Sequence, residues 1–596
     1  MLVVGFNWPN FHDNSAAAVL DGKLVYAAEE ERYTLHKHAP YELPENSLRH
    51  CLLFLQERYG IKPNDVDAYA INFDPKFYSA KSKAWHNFSQ MSMVKDYLLK
   101  ADSAAEAYSL LLKSITRSIT SRLDFTWSAK VFVRSVVRSL GYNVEDVKII
   151  PVRHHLAHAA SAYYFSGMSS GIGLVVDGQG ETDATTAWRI SDGNFEELLS
   201  VKWYEGSLGY LYEFVSKYLG FGRLEGPGKV MGLAPYGKID KKMLARLEAL
   251  FDLNAKDGPY LMKKRLSAGI QGEMYNAIAR RAMGTDAPID IGGRARLNKK
   301  ACDYAYTLQS FFETLLTKTA EWSKDASGMD RIMLSGGSAL NAKANMELYY
   351  SKKFNRVFVF PAAGDAGTSI GAAAYVYANG LGGRMRNGEL KDLYLGDEYS
   401  GQEVKTAVIS SKLKYERIDS DMNPLSGLLE SSKVIGFYHG RAEFGPRALG
   451  NRSIIGNPME KSTWPRINRI KGRAWWRPLA PSLLAKSMND YFIEPEEHEF
   501  MVMMYRANKG VAARVPAVIH VDGTARPQTV RREKNAIWHD LIKCFGDSTS
   551  ENLIVNTSFN MAGEPLVETP MQAIRSFSAS GLDALYLDGW LIRKHA

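Results

Sequence analysis

The chain has 596 residues, 45% hydrophobic and 23% charged, an ordinary globular balance whose length predicts roughly two to four packed units. No uncharged stretch approaches the roughly 18 residues of a membrane span, and the apolar run at residues 1–6 is too short for a signal-peptide core, so a cytoplasmic protein without a membrane is expected. Cys51, Cys302 and Cys544 lie too far apart for a CxxC zinc site or a dense disulfide framework, and a net charge of +9 suits anionic partners such as nucleotides and phosphates.

The opening MLVVGFN predicts a β-strand, followed by a polar loop and two strands joined by an Asp21-Gly22 hairpin turn. The phrase returns as GIGLVVDGQG and DATTAWRISDGNFEELL, with Asp192-Gly193 at the second turn. A repeated strand, loop and hairpin predicts a duplicated α/β fold whose two loops face one another, the layout of actin-like and sugar-kinase-like ATPases. Between the copies, about residues 84–145, apolar and basic runs predict a helical insertion with a solvated charged face. Further on, DRIMLSGGSALNAKAN predicts a strand, a turn at Gly336 and Gly337, and a helix starting near Asn341, with amides available to a nucleotide. Residues 380–401, rich in glycine and polar side chains, predict a linker, giving domains 1–384 and 385–596.

In HHLAH, His154 and His158 fall on one helix face, the spacing by which two imidazoles reach one metal. Asp177 after GLVV and Asp365 in PAAGDAGTS are strand-end carboxylates that complete a donor set for iron, zinc or a related divalent ion. His12, in the loop after the first strand, is placed where actin-like folds handle transferred groups, and an imidazole near its ordinary pKa of about 6.5 suits proton removal there. The glycine-rich EGPGKVMGLAPYG, with Lys229, is a candidate phosphate loop that matches no P-loop spacing.

From Arg441 to Arg477 nine bases stand against two acids, marking an anion-handling segment. Across HGRAEFGPRALGNRS, NRIKGRAWWRPLAPS, HVDGTARPQTV and NTSFNMAGEP, the cations Arg447, Lys471, Arg477 and Arg526 are candidates for a phosphate, with Asn556, Ser558 and Asn560 as neutral partners. Glycine, proline and tryptophan break any helical period there, which predicts ordered loops.

Taken in order, FHDNSAA, AAEEERYTLHKH, HHLAHAASAYYFS, VVDGQGE, GKVMGLAPYG, LSGGSALN, FPAAGDAGTSIGAA, GRAEFGPRALGNRSI, WWRPLAPS and NTSFN resemble the NodU/CmcH family of O-carbamoyltransferases almost end to end. The resemblance implies an N-terminal domain similar to threonylcarbamoyl-transferase enzymes and a YrdC-like C-terminal domain. It implies that the C-terminal domain forms carbamoyladenylate from carbamoyl phosphate and ATP, with magnesium accompanying ATP. The N-terminal domain then passes the carbamoyl group to a hydroxyl of a small natural product. His154, His158, Asp177 and Asp365 match the family's metal site, usually iron, and His12 its transfer site. Arg447, Lys471, Arg477 and Arg526 match its carbamoyl phosphate pocket, with Lys471 and Arg477 also catalytic. Lys229, Gly336, Gly337, Asn341, Asn556 and Ser558 fall in its nucleotide-binding motifs. No nucleic acid is expected as a partner, and a homodimer is left open. On the residues alone an ATP phosphotransferase or ATPase on the actin-like scaffold stays open, as do a tRNA threonylcarbamoyl-type enzyme and a non-catalytic nucleotide-binding partner.

Overall fold

The computed structural model of the chain describes residues 1–8, 11–77, 125–253, 258–263, 271–285, 287–292, 296–386 and 388–594. They form two compact units, one holding nearly all residues up to Leu390 and the other running from Lys391 to the C-terminal end.

In the first unit the antiparallel strands β1 (Leu2–Phe6), β2 (Ser15–Leu20) and β3 (Lys23–Glu29) are followed by helix α1 (Glu45–Tyr59). The strand β4 (Ala68–Ile71) then pairs in parallel with β1, helix α2 (Phe125–Ser139) follows, and β5 (Ile149–Pro151) pairs in parallel with β4. The order is β3-β2-β1-β4-β5.

Helix α3 (His154–Phe165) leads to a second sheet of antiparallel β6 (Ser170–Val176), β7 (Asp183–Ser191) and β8 (Asn194–Lys202). Helices α4 (Leu208–Tyr218), α5 (Gly226–Leu233) and α6 (Lys299–Ser327) come next. Then β9 (Arg331–Ser335), α7 (Ala342–Tyr350), β10 (Arg356–Val359) and α8 (Gly367–Tyr375) complete the unit. The strands β9 and β10 extend the sheet in parallel beyond β6, so its order, β10-β9-β6-β7-β8, repeats the first element for element. The unit is a duplicated actin-like α/β fold.

Both hairpins turn on an aspartate and a glycine with positive φ, 48° and 76° at Asp21-Gly22 and 48° and 80° at Asp192-Gly193. Those angles match the type I′ geometry that follows the natural strand twist. Helices α1 and α2 pack on the core that β1 and β4 share, with Leu48, Leu52, Phe132 and Val136 buried. Trp8 stacks on Phe132 at 4.9 Å, and burial of each such large apolar side chain contributes about 1.5–3 kcal/mol. Of the expected insertion, residues 84–124 lie outside the described residues, and the helix from Phe125 packs into this core.

Helix α3 is buried on nearly every side: its alanines allow close packing, and its buried polar groups find partners, as His155 does in Thr186 and Ser161 in the His158 carbonyl. It crosses α8 closely: a Cβ on Gly371 would stand 1.8 Å from the Ala157 carbonyl oxygen, so only glycine fits. That crossing brings residues near the start of α3 beside Asp365, just ahead of α8.

Two local expectations change. The segment EGPGKVMGL forms helix α5 rather than a phosphate-wrapping loop, because Pro227 sits in its first turn, where the missing N–H costs nothing, and Lys229 pairs with Glu225 one turn back at 2.8 Å. Residues 381–386 and 388–400 are irregular but tied down: Arg386 Nε donates to the Asp21 carbonyl in the first unit, and Tyr394 bridges to Glu443 in the second.

The second unit is an α/β domain on an eight-stranded mixed sheet. Its strands are β11 (Lys414–Arg417), β12 (Ile435–Tyr438), β13 (Arg452–Gly456) and β14 (Ala480–Leu484), then β15 (Gln528–Val530), β16 (Leu553–Ser558), β17 (Ala584–Leu587) and β18 (Trp590–Arg593). Their order is β11-β18-β17-β12-β13-β16-β14-β15. Helix α9 (Thr463–Ile470) follows β13, and α10 (Ala536–Thr549) buries Trp538, Leu541 and Phe545 in the core with Phe437 and Ile554. Among the described residues no helix is long and apolar enough to cross a membrane.

Candidate functional site

Four donors converge in the first unit. His154 and His158 occupy one face of α3, with their Nε2 atoms 3.1 Å apart, because residues four apart on a helix are neighbours. Asp177 follows β6 and turns Oδ2 to both rings, 3.4 Å from His154 and 3.3 Å from His158. Its Oδ1 instead accepts from the amides of Gly178 at 2.8 Å and Gly337 at 3.2 Å. Asp365 closes the set, its Oδ1 3.7 Å from His154 and 3.8 Å from His158, and one donor atom from each of the four residues lies within 4.8 Å of the others.

Two imidazoles and two carboxylates suit a divalent transition metal, so the residues fit the ion that the family resemblance implies. The surroundings aim the ligands as metal sites require: His158 Nδ1 lies 3.2 Å from Ser335 Oγ, which leaves Nε2 to face the carboxylates. Glu181, which sequence reading passed over, accepts from the backbone N–H of His154 at 3.0 Å and of Asp74 at 2.9 Å, fixing the start of α3. Burial pushes its carboxyl up to about 7. Burial also lowers His154, but Asp177 and Asp365 outweigh it and lift the ring to about 10. Burial raises Asp177 and Asp365, yet the two imidazoles prevail, holding Asp177 well below the carboxylate range and Asp365 near 2.

His12 lies in the same unit, about a quarter exposed, with Nδ1 2.8 Å from Asp13 Oδ2. Burial works against its charge, but Asp13, and then Asp365 and Glu213, carry it up to about 9. The ordinary imidazole value expected from sequence is corrected accordingly: a carboxylate sits directly on the ring, which composition does not announce.

The candidate nucleotide residues of this unit are placed apart from one another in role. Gly337 spends its N–H on Asp177, while the Asn341 side chain caps α7 through the Ala344 N–H at 3.1 Å and also donates to Gln309 at 3.0 Å. Gly336 supplies the turn with φ 88°, and Lys229 lies on α5 paired with Glu225.

In the second unit Lys471 caps the C-terminal end of α9 and is 3% exposed. Its ammonium donates to the Ser558 carbonyl, to Ser558 Oγ at 3.2 Å, and to the carbonyl and Oδ1 of Asn560, both at 2.8 Å. Burial and then the charges of Arg473 and Arg477 hold its pKa well below the usual lysine value. Arg447 is pushed down to about 10 by burial and Arg477. Arg526 is held well below its usual value by burial and then by Arg447, Arg477 and Arg473. Guanidinium groups stay protonated, so these shifts register like charges gathered in a poorly hydrated place, an arrangement that a phosphate resolves.

Arg473, counted with the basic segment but not singled out, belongs to this group, lowered by burial and Arg477. Its position two residues from Lys471 is the signal that was there to read. Other bases of the segment do structural work: Arg452 lies 3.6 Å over the Tyr438 ring and donates to the His439 carbonyl, and Arg466 pairs with Asp583 at 2.7 Å. Asn556 is fully buried, its amide donating to Ala448, Ser482 and Gln528, so it ties strands together beneath Ser558.

Two family profiles match the chain, "Carbamoyltransferase N-terminus" over residues 3–374 and "Carbamoyltransferase C-terminus" over residues 426–594. The nodulation protein NolNO of Sinorhizobium fredii is 31% identical over 98% of this chain and 79% of its own length. The 3'-hydroxymethylcephem-O-carbamoyltransferase of Amycolatopsis lactamdurans is 25% identical over 100% of this chain and 99% of its own. Among solved structures, full-length HypF in its phosphate- and nucleotide-bound form aligns with a TM-score of 0.33 and 12% identity, over 64% of this chain and 56% of that one, a likeness too loose to carry an argument.

Proposed function

This chain belongs to the carbamoyltransferase family, and from that premise we propose that it is an ATP-dependent O-carbamoyltransferase whose two units divide the reaction. The observation that carries the division is the cluster of buried Lys471 with the partly buried Arg447, Arg473, Arg477 and Arg526 in the second unit, whose strongest charged influences include one another. Such a cluster suits the phosphates of carbamoyl phosphate and ATP. There water takes the phosphoryl group of carbamoyl phosphate as inorganic phosphate, and the carbamate oxygen so freed attacks the α-phosphorus of ATP and displaces pyrophosphate, leaving carbamoyladenylate.

Carbamate is a poor electrophile until its oxygen becomes part of a good leaving group, and AMP provides one. Forked Arg447, Arg477 and Arg526 neutralise phosphate charge and fix its orientation, while Lys471 brings a point charge held by Ser558 and Asn560. Lys471 is buried and the arginines are partly so, and that shielding limits hydrolysis of the intermediate once it has formed.

In the first unit His12 takes the proton from the acceptor hydroxyl as it attacks the carbamoyl carbon, and AMP departs. His154, His158, Asp177 and Asp365 would hold a divalent metal, iron by family resemblance, which would supply positive charge to an adenylate phosphate. The acceptor is a small hydroxylated molecule, the class to which the 3'-hydroxymethylcephem of the Amycolatopsis relative belongs.

The test is incubation with ATP and carbamoyl phosphate, followed by mass spectrometry of a panel of hydroxylated metabolites. Pyrophosphate release with a carbamoyl mass increment on one of them supports the reading. ADP as the sole nucleotide product overturns it in favour of a phosphotransferase.

A further inference from the structure

We infer that Asp13 and His38 act as a positioning pair for His12, fixing which ring nitrogen of that imidazole takes the acceptor proton. The inference rests on the reading of His12 as the base of the transfer step.

Asp13 divides its carboxylate between two imidazoles. Oδ2 meets His12 Nδ1 at 2.8 Å, and Oδ1 meets His38 Nδ1 at 2.7 Å. An ionised carboxylate only accepts, so both Nδ1 atoms carry hydrogen. Burial favours the neutral acid, but His38 and His12 together drive the Asp13 pKa far below the ordinary value, which keeps it ionised. With Nδ1 of His12 committed as a donor, Nε2 is the basic nitrogen, and the proton from the attacking hydroxyl moves to it.

His38 controls Asp13 from two sides. Besides the side-chain bond, the Asp13 N–H donates to the His38 carbonyl oxygen at 2.7 Å. The His38 N–H in turn donates to Glu31 Oε2 at 2.6 Å, at the start of the short helix Glu31–Thr34. The chain Glu31, His38, Asp13, His12 therefore runs from a secondary-structure element to the reacting ring. Asp13 sits at φ 54° and His38 at φ 66°, left-handed conformations that aspartate and histidine tolerate better than most side chains. Two such residues facing each other define a built corner, not a loose loop. A base on a loop loses rate when its ring turns away, and a carboxylate that is itself gripped prevents the turn.

The test uses the full chain with ATP, radiolabelled carbamoyl phosphate and ethylene glycol as the hydroxyl probe. His38→Leu is expected to lower carbamoyl transfer to the glycol by about tenfold through kcat, leaving KM for the glycol and pyrophosphate release unchanged. His38→Asn, which keeps a donor toward Asp13, is expected to recover part of the loss. Nitrogen-15 spectra of histidine-labelled protein recorded at about pH 10, where the His12 ring is mostly neutral, are expected to show it as the Nδ1–H tautomer, with a mixed population in His38→Leu. Transfer within twofold of the parent in His38→Leu, or an unchanged His12 tautomer, overturns the inference. So does a fall in bound metal in His38→Leu, since Asp13, Glu31 and His38 also offer donor atoms within 4.8 Å of one another. If His12→Asn itself leaves transfer intact, the base assignment fails, while the tautomer spectra still report separately on the Asp13–His38 grip.

Discussion

One oxygen of Asp177 gathers both histidines of α3: Oδ2 lies 3.4 Å from His154 Nε2 and 3.3 Å from His158 Nε2. The geometry holds because Gly178 and Gly337 occupy the other oxygen, so the carboxylate cannot rotate without giving up two backbone hydrogen bonds. Each of those is a charge-assisted bond worth about 1.5–3 kcal/mol.

The first prediction concerns that cluster. His154→Ala and Asp365→Ala should each bring bound metal down to background while pyrophosphate release in the second unit persists. Elemental analysis of the purified variants checks it, and unchanged metal in both removes the site.

In the second unit, Lys471→Ala and Arg526→Ala should each slow pyrophosphate release by roughly 10- to 200-fold, the equivalent of about 1.5–3 kcal/mol for one charged contact to phosphate. Arg466→Ala is the contrasting change, because Arg466 pairs with Asp583 and sits outside the cation group. A release assay in which Lys471→Ala or Arg526→Ala behaves like Arg466→Ala would count against the phosphate assignment.

For the transfer step the direction of the His12 shift sets the pH dependence. Asp13 raises His12 to about 9, so at neutral pH the ring is mostly protonated and only the minor neutral fraction acts as a base. Transfer should therefore climb with pH until about 9 and then level, and His12→Asn should lose transfer by about 10²–10⁴-fold with adenylate formation intact. The acceptor identified in the metabolite panel serves for the profile, and a transfer rate already flat at neutral pH contradicts this role.

A stability prediction follows from Asp183, which is fully buried and accepts from Arg153 at 2.5 Å and from Lys202 and Ser200 at 2.6 Å. Burial alone would raise its pKa, but His155, Arg153 and Lys202 overcome that and depress it below the ordinary 3.8. A depressed carboxylate contributes stability that is present above its unfolded value and lost as pH falls through the folded one. Asp183→Asn should cost about 3–5 kcal/mol near neutral pH, because two cations lose a buried partner, and should flatten the decline in stability below about pH 4. Denaturant unfolding across pH measures both.

Much of the fold was legible because it is local. The turn pairs Asp21-Gly22 and Asp192-Gly193 announce their hairpins, and the i, i+4 spacing of His154 and His158 fixes one face of α3 whatever surrounds it. The segment around Lys229 was misread because glycine content suggests a loop, while Pro227 and the Glu225 pair favour a helix whose packing sequence does not display. Among the nine bases, Arg447, Lys471 and Arg477 were singled out from sequence, but Arg473 was not separated from Arg452 and Arg466, since which neighbour each meets depends on strands far away in the chain.

The sequence by itself determined the duplicated strand pattern, the residue types that can bind metal or phosphate, and the family, because these live in short-range spacing and in motifs. Only the tertiary structure decided that Asp177 and Asp365 meet one histidine pair, that His38 shares Asp13 with His12, and that Lys471 is caged by Ser558 and Asn560. The reason is physical. Hydrogen bonds and ion pairs act over a few ångströms, and residues 188 positions apart, as Asp177 and Asp365 are by number, come within that range only after the two sheets and the α3–α8 crossing have formed.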